Sequence, residues 1–302
     1  MTNFQTEQLR TFLAVLDHGT FEAAAGALHV TASAVSQRIK AMEQAAGQVL
    51  LQRTTPVTAT PAGLVVHKLA RQLRQLEADA AAELGLAAPG SAIPIVVNAD
   101  SLATWFVAAL AAVPADAGLT FEVLREDEHH SAGLLRSGEV MAAVTATPDA
   151  VQGCSVAELG SLQYRAVAST EFVARWFPQG FAAGLLAAAP AVQFDRSDTL
   201  QSNYFEAVTG HKLAGPQHYI PDTVQFAAAV RCGLGWGLMP EEHCHAGLRS
   251  GQLVELVPGH VTAVPLYWQR WKIQSTALEL LTTAVTTTAA AALAQPGRPR
   301  MH

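Results

Sequence analysis

Apolar residues recur at helical spacing near the amino terminus. The first stripe consists of Leu9, Phe12, Leu13 and Leu16, which fall on one face of an α-helix. Gly19 suits the left-handed turn that ends such a helix. Thr20 precedes a short second helix over 21–28, and Thr31 precedes a third that runs to Gly47; threonine at these positions caps a helix start. The pattern therefore predicts three helices joined by tight turns.

A small hairpin and a long helix follow. Residues 49–53 and 57–60 favour β-structure around a Thr-Thr-Pro turn, which predicts a two-stranded wing. Thr60 and Pro61 mark the start of a helix that extends to about residue 86. This helix carries one apolar stripe, made up of Val65, Leu69, Leu73, Leu76 and Ala80. We expect the stripe to contact a helix of a second subunit, although packing on its own domain would also account for it.

The chain beyond a hinge at 87–91 alternates between β-favouring and helix-favouring segments. Strands are predicted at 93–97, 119–124, 139–145, 163–168, 191–194, 217–220, 235–239 and 261–271, and helices at 101–112, 131–137, 199–208, 223–232 and 241–248. This alternation predicts an α/β domain of parallel strands with helices on both faces.

Three regions follow from these elements. We divide the chain into a mainly α-helical unit at 1–60, a linker helix with its hinge at 61–90, and an α/β domain at 91–302. The α/β domain is predicted to have two lobes, lobe I over about 91–162 plus part of 262–295 and lobe II over about 163–262. The tail at 295–302 is predicted to be disordered.

Composition narrows the possible classes. Half of the 302 residues are apolar, which is enough for two or three domain cores. The net charge of -6 argues against general polyanion binding, so any contact with DNA must be local. Three widely spaced cysteines make no disulfide framework, which fits the reducing cytoplasm. The chain start lacks a signal-peptide pattern, and 276–294 is better explained as an amphipathic closing helix than as a membrane span. We expect a soluble protein.

The third helix has one polar and one apolar face. At about 100° per residue, the polar face holds Ser33, Ser36, Gln37 and Lys40, and the opposite face holds Val35, Ile39, Met42 and Ala46. Hydroxyl and amide groups can address base edges in the major groove, while cations hold the phosphates. Arg38 and Arg53 add local cations, the second on the wing, although either would also serve as an ordinary surface arginine. Within its context of tight turn and wing, this helix is predicted to read DNA.

Dense motifs run through the same region: Phe21-x-x-Ala-Ala, Leu28-His-Val-Thr, Ser33-Ala-Val-Ser-Gln-Arg-Ile-Lys, Met42-Glu-Gln, Gly47, Leu50-Leu51-x-Arg53 and Thr60-Pro-Ala-Gly63. They resemble the amino-terminal signature of LysR-type transcriptional regulators. The resemblance implies a winged helix-turn-helix, with the helix-turn-helix at about 21–40, a dimerising linker helix, and an effector domain shaped like a periplasmic binding protein. The implied DNA-binding residues are Thr31, Ser33, Ser36, Gln37, Arg38, Lys40 and Arg53. Ala32 departs from the Gln that is common in the family, so the base preference carried by that Gln is expected to be absent.

The resemblance continues through the large domain, in Val97-Asn-Ala-Asp-Ser-Leu-Ala-Thr-Trp105, Arg125-Glu-Asp-Glu128, Gly138-Glu-Val, Phe177-Pro-x-Gly180 and Leu266-Tyr-Trp268. These motifs resemble the ArgP/LysG branch, regulators of basic amino-acid export. The resemblance implies a cytoplasmic homodimer or homotetramer that binds promoter DNA in the nucleoid and works with RNA polymerase. It implies lysine or arginine as the effector, no cofactor, and an exporter gene as the target. A ligand-independent or differently liganded regulator is the alternative.

Polar residues stand where ligands bind in α/β lobes, at the carboxy ends of strands and at helix amino termini facing a cleft. They are Asn98, Asp100, Ser101, Thr104, Glu126, Asp127, Thr145, Asp195 and Asp222. Carboxylates pair with ammonium or guanidinium groups, so the set predicts a site for lysine or arginine, with Ser101 and Thr104 as the strongest candidates. Asp100 and Asp222 would also serve as helix caps, and 126–128 as a solvated loop.

An enzyme is the main rival class, since two-lobed folds can host catalysis and the chain has 11 histidines. Yet no Ser-His-acid motif, phosphate loop or nucleophile elbow is visible. Glu241-Glu-His-Cys-His245 offers metal-ligand residue types, but its spacing matches no standard zinc pattern and a surface helix explains it. Cys232-Gly-Leu-Gly-Trp-Gly is better explained as a helix-to-strand turn. We expect neither catalysis nor a bound metal. An architectural DNA-binding protein without a ligand is the second rival.

Overall fold

The computed structural model describes residues 4–86, 92–126, 128–180 and 183–295. Its amino-terminal unit contains helices α1 (Thr6–His18), α2 (Phe21–Ala27) and α3 (Ala32–Ala46), followed by strands β1 (Leu51–Gln52) and β2 (Thr58–Ala59). The two strands pair antiparallel. The three predicted helices and the wing are therefore present. The predicted hinge at 87–91 and the tail from residue 296 onward lie outside the described residues.

Side-chain caps fix where the helices of this unit begin. The hydroxyls of Thr20 and Thr31 each accept the backbone N–H three residues further along, at 3.1 Å. α1 and α3 end at Gly19 and Gly47, whose φ values of 72° and 65° lie in the left-handed region. The caps and stops predicted from the sequence are thus confirmed. The enclosed core includes Phe12, Val15, Val35, Ile39 and Met42.

The linker helix α4 (Pro61–Glu83) begins at a third threonine cap, where Thr60 accepts the N–H of Gly63 at 3.0 Å. Much of its apolar stripe faces solvent, because Val65, Leu69 and Leu76 are 71%, 46% and 40% exposed. Its own chain, as far as the structure describes it, therefore leaves these three side chains uncovered.

The opposite face of α4 packs on the large domain. The Nδ1 atom of His67 lies 3.0 Å from the carbonyl oxygen of Ser137. The ammonium group of Lys68 donates to the carbonyl of Gln152 at 2.9 Å. These contacts fix the linker helix against lobe I of the same chain.

The large domain consists of nine strands and nine α-helices within the described residues. The strands are β3 (Ile93–Val97), β4 (Phe121–Arg125), β5 (Ala142–Thr145), β6 (Cys154–Ser169), β7 (Ala191–Gln193), β8 (Gln217–Tyr219), β9 (Gly237–Pro240), β10 (Leu253–Glu255) and β11 (Val261–Trp271). The helices are α5 (Ala99–Ser101), α6 (Val107–Ala111), α7 (Glu128–Ser137), α8 (Thr170–Trp176), α9 (Ala183–Leu186), α10 (Leu200–Thr209), α11 (Thr223–Arg231), α12 (Glu241–Ser250) and α13 (Thr276–Ala292). A π-helical turn (Leu102–Phe106) joins α5 to α6, and a 3-10 turn (Ala115–Ala117) precedes β4.

The main sheet is mixed rather than parallel. Its order is β10-β6-β11-β5-β3-β4, and β9 also pairs with β6. β3 is parallel to β4 and β5, and β7 is parallel to β8, but β6 and β11 pair antiparallel with each of their neighbours. The prediction of parallel strands is therefore wrong for β6, β9 and β11, and the strand β10, which was not predicted, is also antiparallel. Parallel pairing follows from helical crossovers, whereas β6 and β11 are long strands that pair directly with each other over most of their length.

Two lobes share the long strands β6 and β11. Lobe I contains β3, β4, β5, α5, α6, α7 and α13, and lobe II contains β7 to β10 and α8 to α12. The ends of β6 and β11 near Cys154 and Trp271 lie in lobe I, and the continuation of β6 toward Ser169 pairs with β9 and β10 in lobe II. The predicted two-lobed α/β domain is confirmed. The strand expected at 163–168 is one part of the longer β6.

The closing helix α13 packs on lobe I through Leu278, Leu281 and Val285, all fully buried. Its polar positions are occupied mainly by threonines, several of which donate to the carbonyl one turn back. In the part of the chain that the structure describes, no helix has both the length and the apolar character needed to cross a bilayer.

Two glycines provide a matched test of the amino-terminal unit. A Cβ at position 63 would lie 2.0 Å from the carbonyl oxygen of Leu50, whereas a Cβ at Gly26 in α2 would meet nothing within 4 Å. We expect Gly63→Ala to lower the free energy of unfolding by about 1–3 kcal/mol through overpacking. Gly26→Ala should raise it by about 0.5–1 kcal/mol, because alanine restricts the unfolded chain and favours the helix. Chemical denaturation of the full chain measures both; equal midpoints for the two variants would contradict the packing described for α4.

Candidate functional site

The amino-terminal candidate site is the polar face of α3. Ser33, Gln37 and Lys40 are exposed and Ser36 is half-buried. Thr31 is exposed at the start of the helix, where its hydroxyl is used as the cap. The structure therefore brings together on one surface the hydroxyl, amide and ammonium groups expected to face DNA.

Arg38 is turned toward α1. Its guanidinium contacts the carboxylate of Glu7 at 2.7 Å and donates to the hydroxyl of Thr11 at 3.2 Å. These bonds hold α3 against α1, so a contact of Arg38 with a phosphate would have to compete with them.

Two other cations carry the positive charge of this surface. Among the described residues, neither Lys40 nor Arg53 has a carboxylate oxygen within 4 Å. Lys40 is exposed on α3, and Arg53 follows β1 in the wing, with its guanidinium 5.6 Å from the centre of the Phe21 ring. The helix and the wing thus each carry one exposed cation of the kind that a phosphate backbone attracts.

The second candidate site is a cleft of about 460 Å³ between lobes I and II. Four of the predicted effector residues line it, namely Asn98, Asp100, Glu126 and Asp195. Its other polar lining residues are Arg125, Tyr164, Ser197, Asp198, Thr199 and Asn203. The cleft is large enough for an amino acid, and its described lining presents four carboxylates and one guanidinium.

Asp100 connects the two sides of this cleft. One carboxylate oxygen accepts the hydroxyl of Tyr164 on β6 at 2.7 Å, and the other accepts the hydroxyl of Thr223 on α11 at 2.7 Å. Asp100 itself lies on α5 of lobe I, whereas Thr223 lies in lobe II. Its side chain therefore bridges the lobes and does not serve as a helix cap.

Asn98 and Thr104 make local hydrogen bonds beside Asp100, and Ser101 lies between them. Asn98 accepts the N–H of Ser101 at 2.8 Å, and the hydroxyl of Thr104 donates to the carbonyl of Asp100 at 2.7 Å. Ser101 is fully buried, and its hydroxyl has no hydrogen-bond partner in the described chain. Ser101 and Thr104, the strongest candidates from the sequence, thus lie outside the cleft lining.

Two further predicted residues lie away from the cleft lining. Thr145 is buried and accepts a hydrogen bond from the amide of Gln269 at 3.2 Å. Asp222 caps α11 by accepting two backbone N–H groups at 2.9 and 3.0 Å, and its other oxygen lies 3.6 Å from Arg125. The helix-cap alternative is therefore correct for Asp222. Asp127 lies outside the described residues.

Two neighbouring aspartates of the cleft have opposite pKa shifts. Hydrogen bonds from the hydroxyl and N–H of Ser197 lower the pKa of Asp195 below its ordinary value. Burial raises the pKa of Asp198, although it accepts the N–H of Leu200 at 2.8 Å, and the charges of Asp100 and Asp195 raise it further. The ionised form of Asp198 is therefore costly in this position unless a cation compensates it.

The Glu-Glu-His-Cys-His segment forms the start of α12. Glu241 is buried and paired with Arg165, and burial raises the pKa of the Cys244 thiol to about 12. Over the described ranges, no group of three or more His, Cys, Asp or Glu side chains is arranged to hold a metal ion. The glycine-rich segment that begins at Cys232 is the turn between α11 and β9, as predicted.

Two family models together match most of the chain. Residues 6–64 match the bacterial regulatory helix-turn-helix protein, lysR family, and residues 92–290 match the LysR substrate binding domain. The chain belongs to the LysR family. It is accordingly a DNA-binding transcriptional regulator with a carboxy-terminal effector domain, and the resemblance inferred from its motifs is confirmed.

Individual LysR-family relatives are similar over nearly the whole length. The crystal structure of ArgP from Mycobacterium tuberculosis is 43% identical, covers 95% of this chain and 98% of its own, and superposes with a TM-score of 0.88. Full-length LysG from Corynebacterium glutamicum with bound effector Arg is 37% identical, with coverages of 96% and 99% and a TM-score of 0.81. The lysine export transcriptional regulatory protein LysG of Corynebacterium efficiens is 40% identical over 286 residues, which is 94% of this chain and 98% of that protein. These proteins are regulators rather than enzymes.

Several cleft residues of this LysR-family chain escaped the sequence reasoning. Tyr164 lies in the interior of the long strand β6. Asp198 lies in the loop between β7 and α10, and Asn203 lies on α10 itself. Rules based on strand ends do not reach such positions. Arg125 follows the rule, since it ends β4, but a cation does not match the acidic set from which a site for a basic ligand was predicted.

The two aspartates permit a test by pH. Because the pKa of Asp198 is raised, its ionisation lowers stability as pH rises above the ordinary value of 3.8. Asp198→Asn should therefore raise the melting temperature of the ligand-free chain at pH 7, and this gain should shrink as pH falls toward 3.8.

The pKa of Asp195 is lowered, so its carboxylate adds stability above pH 3.8 that is lost on acidification. Asp195→Asn should lower the melting temperature at pH 7; the same sign for both variants would contradict this account.

Proposed function

We propose that this regulator controls an exporter gene for basic amino acids, and that lysine or arginine bound between the lobes is its signal. The observation that carries the proposal is the charge of the cleft. Among the residues that the structure describes, its lining holds the carboxylates of Asp100, Glu126, Asp195 and Asp198 and the guanidinium of Arg125. A positively charged ligand matches the excess of carboxylates in this part of the lining.

A basic amino acid has the matching groups. Its α-carboxylate can pair with Arg125, whose guanidinium is half exposed and only loosely paired with Asp222 at 3.6 Å. Its two cationic ends can address the acidic lining, in particular Asp198, whose ionised form burial disfavours. The bound arginine of the related LysG structure and the lysine-export function in the name of another relative support the same chemical class.

On the DNA side, we propose that Ser33, Ser36 and Gln37 address base edges and that Lys40 and Arg53 hold phosphates. The exposure of Ser33, Gln37, Lys40 and Arg53, and the position of the half-buried Ser36 on the same face of α3, support these roles. Thr31 stabilises the start of α3 because its hydroxyl caps the helix, and it thereby helps to hold the same surface in place. Arg38 mainly stabilises the packing of α3 on α1, because its guanidinium already contacts the carboxylate of Glu7 and the hydroxyl of Thr11.

The assembly that fits this chain is a homodimer or homotetramer. The exposed stripe of Val65, Leu69 and Leu76 on α4 would be covered by the linker helix of a second copy. Two α3 helices would then reach successive major grooves of a roughly palindromic promoter site. In this arrangement the protein acts on chromosomal DNA in the cytoplasm, together with RNA polymerase.

Calorimetric titration of the full chain with lysine, arginine and norleucine tests the effector. We expect both basic amino acids to bind, and norleucine, which lacks the side-chain ammonium group, to bind at least about tenfold more weakly, the effect of losing one charge-assisted hydrogen bond. If norleucine binds as tightly as lysine, the charge of the cleft is not what selects the ligand. If none of the three binds, a ligand-independent or differently liganded regulator takes the place of the proposal.

A pair of substitutions on α3 tests the DNA contacts. Gln37→Ala should weaken binding to the operator by about 1–3 kcal/mol and leave binding to unrelated DNA nearly unchanged, because a base contact is lost. Lys40→Ala should weaken both and reduce the salt dependence by about one phosphate contact. Fluorescence anisotropy over a salt series measures each quantity. Equal losses on both DNAs for Gln37→Ala would contradict a base-reading role.

A further inference from the structure

The start of helix α11 in lobe II reaches lobe I at two points. Asp222, the cap of this helix, has one carboxylate oxygen 3.6 Å from the guanidinium of Arg125 at the end of β4. Thr223, the first residue of α11, donates its hydroxyl hydrogen to the carboxylate of Asp100 on α5 at 2.7 Å. Both contacts therefore run from lobe II to lobe I beside the cleft.

The two contacts differ in strength. The side chains of Arg125 and Asp222 are each about half exposed, so solvent screens their attraction. Thr223 is buried, and its hydroxyl bonds to a carboxylate at a short distance. A hydrogen bond to a charged acceptor is stronger than one between neutral groups, and breaking it in a buried place leaves polar groups unsatisfied. The bond between Thr223 and Asp100 is therefore the stronger link.

The carboxylate that accepts this bond is held from a second direction. The hydroxyl of Tyr164 donates to the other oxygen of Asp100 at 2.7 Å, and Tyr164 is buried on β6, the long strand that both lobes share. Because Tyr164 holds one oxygen, the Asp100 carboxylate has little freedom to follow lobe II when that lobe moves away. A threonine hydroxyl has a single hydrogen to donate. The bond from Thr223 to Asp100 therefore requires the lobes to be close together.

The cleft acts on one ligand from both lobes. Asn98 and Arg125 line it from lobe I, and Asp195 and Asn203 line it from lobe II. A ligand that contacts both sides binds the closed arrangement, so its apparent affinity falls with the fraction of molecules that are closed. Thr223 lies outside the described lining of the cleft. It can thus affect the affinity for a ligand without touching the ligand.

We propose that Thr223 is a positioning residue for the effector, and that its bond to Asp100 favours, before any ligand arrives, the closed arrangement that the ligand binds. This assignment rests on the proposed function, since it requires a basic amino acid in the cleft. Because Thr223 acts on the lobes and not on the ligand, it contributes equally to the affinities for lysine and for arginine. A residue that contacts the side chain of the ligand would instead distinguish the two.

The test is calorimetric titration of the full-length Thr223→Val variant with lysine and with arginine. Valine has nearly the shape of threonine but no hydroxyl, so both ligands should bind more weakly by the same factor, about three- to tenfold. Thr223→Ser keeps the hydroxyl and should bind both ligands within about twofold of the wild-type chain. Unchanged affinities in Thr223→Val, a loss for one ligand only, or an equal loss in Thr223→Ser overturns the proposal.

Two further variants make the outcome specific. Thr286→Val on α13 also removes a threonine hydroxyl, whose bond of 2.8 Å to the carbonyl of Thr282 lies within a single helix of lobe I. It should leave both affinities unchanged, and a loss as large as that of Thr223→Val overturns the proposal. If Thr223→Val does not fold, Thr223→Ala removes the same hydroxyl without placing a methyl group against the carboxylate, and the same results are expected of it.

A distance measurement between the lobes separates positioning from a purely structural role. Spin labels at Cys232, exposed at the end of α11, and at Thr283→Cys, exposed on α13, report on lobe II and lobe I, and the other two cysteines are buried. The labelled chains are diluted with unlabelled ones, so that only distances within one chain contribute to the signal.

Without ligand, Thr223→Val should give a distance distribution shifted away from that of the chain that keeps Thr223, and saturating lysine should shift it back. The same distribution with and without the hydroxyl overturns the proposal. Failure of the wild-type chain to bind either lysine or arginine would overturn the proposed function itself, whereas the distances in the ligand-free chain would still test Thr223.

Discussion

The carboxylate of Asp100 is the contact on which the geometry of the cleft depends. It joins α5 of lobe I to Thr223 of lobe II and to Tyr164 on the shared strand β6, with both bonds at 2.7 Å. Nearby, Arg125 at the end of β4 faces Asp222 at the start of α11 across the same boundary. Within the described residues, these polar contacts link the two lobes at the cleft, beside the shared strands β6 and β11. In the function proposed above, a ligand that competes for these groups, or adds to them, would change the balance between open and closed arrangements.

The linker helix α4 connects the effector domain to the DNA-binding unit. One face of α4 is fixed to lobe I through His67 and Lys68, and its start is fixed to the wing through Thr60, whose hydroxyl donates to the carbonyl of Val49 at 2.7 Å. A shift of lobe I relative to lobe II therefore reaches a helix that is continuous with the DNA-reading unit. The exposed stripe on its other face would couple the same shift to the spacing of two subunits.

Local signals were enough to predict much of this architecture, and contacts distant in sequence account for what was missed. Thr20, Thr31 and Thr60 cap helices with neighbours three residues away, so their roles can be predicted from sequence alone. Thr145 lies at a strand end as predicted, yet its hydroxyl accepts a hydrogen bond from the amide of Gln269, which is 124 residues further along the chain. Asp198 joins Asp100 in the cleft only after the chain between them has folded into two lobes. The mixed sheet was missed for the same reason, because the pairing of β6 with β11 leaves no local pattern.

If a basic amino acid between the lobes changes how the protein engages its promoter, the ligand should alter the protein's contacts with that DNA. This can be measured by DNase I footprinting of the full chain on the DNA upstream of its target gene, with and without saturating lysine or arginine. We expect the protected region to change in extent or position when the ligand is added, and norleucine to cause no change. Identical footprints under conditions in which calorimetry shows the cleft to be saturated would contradict it.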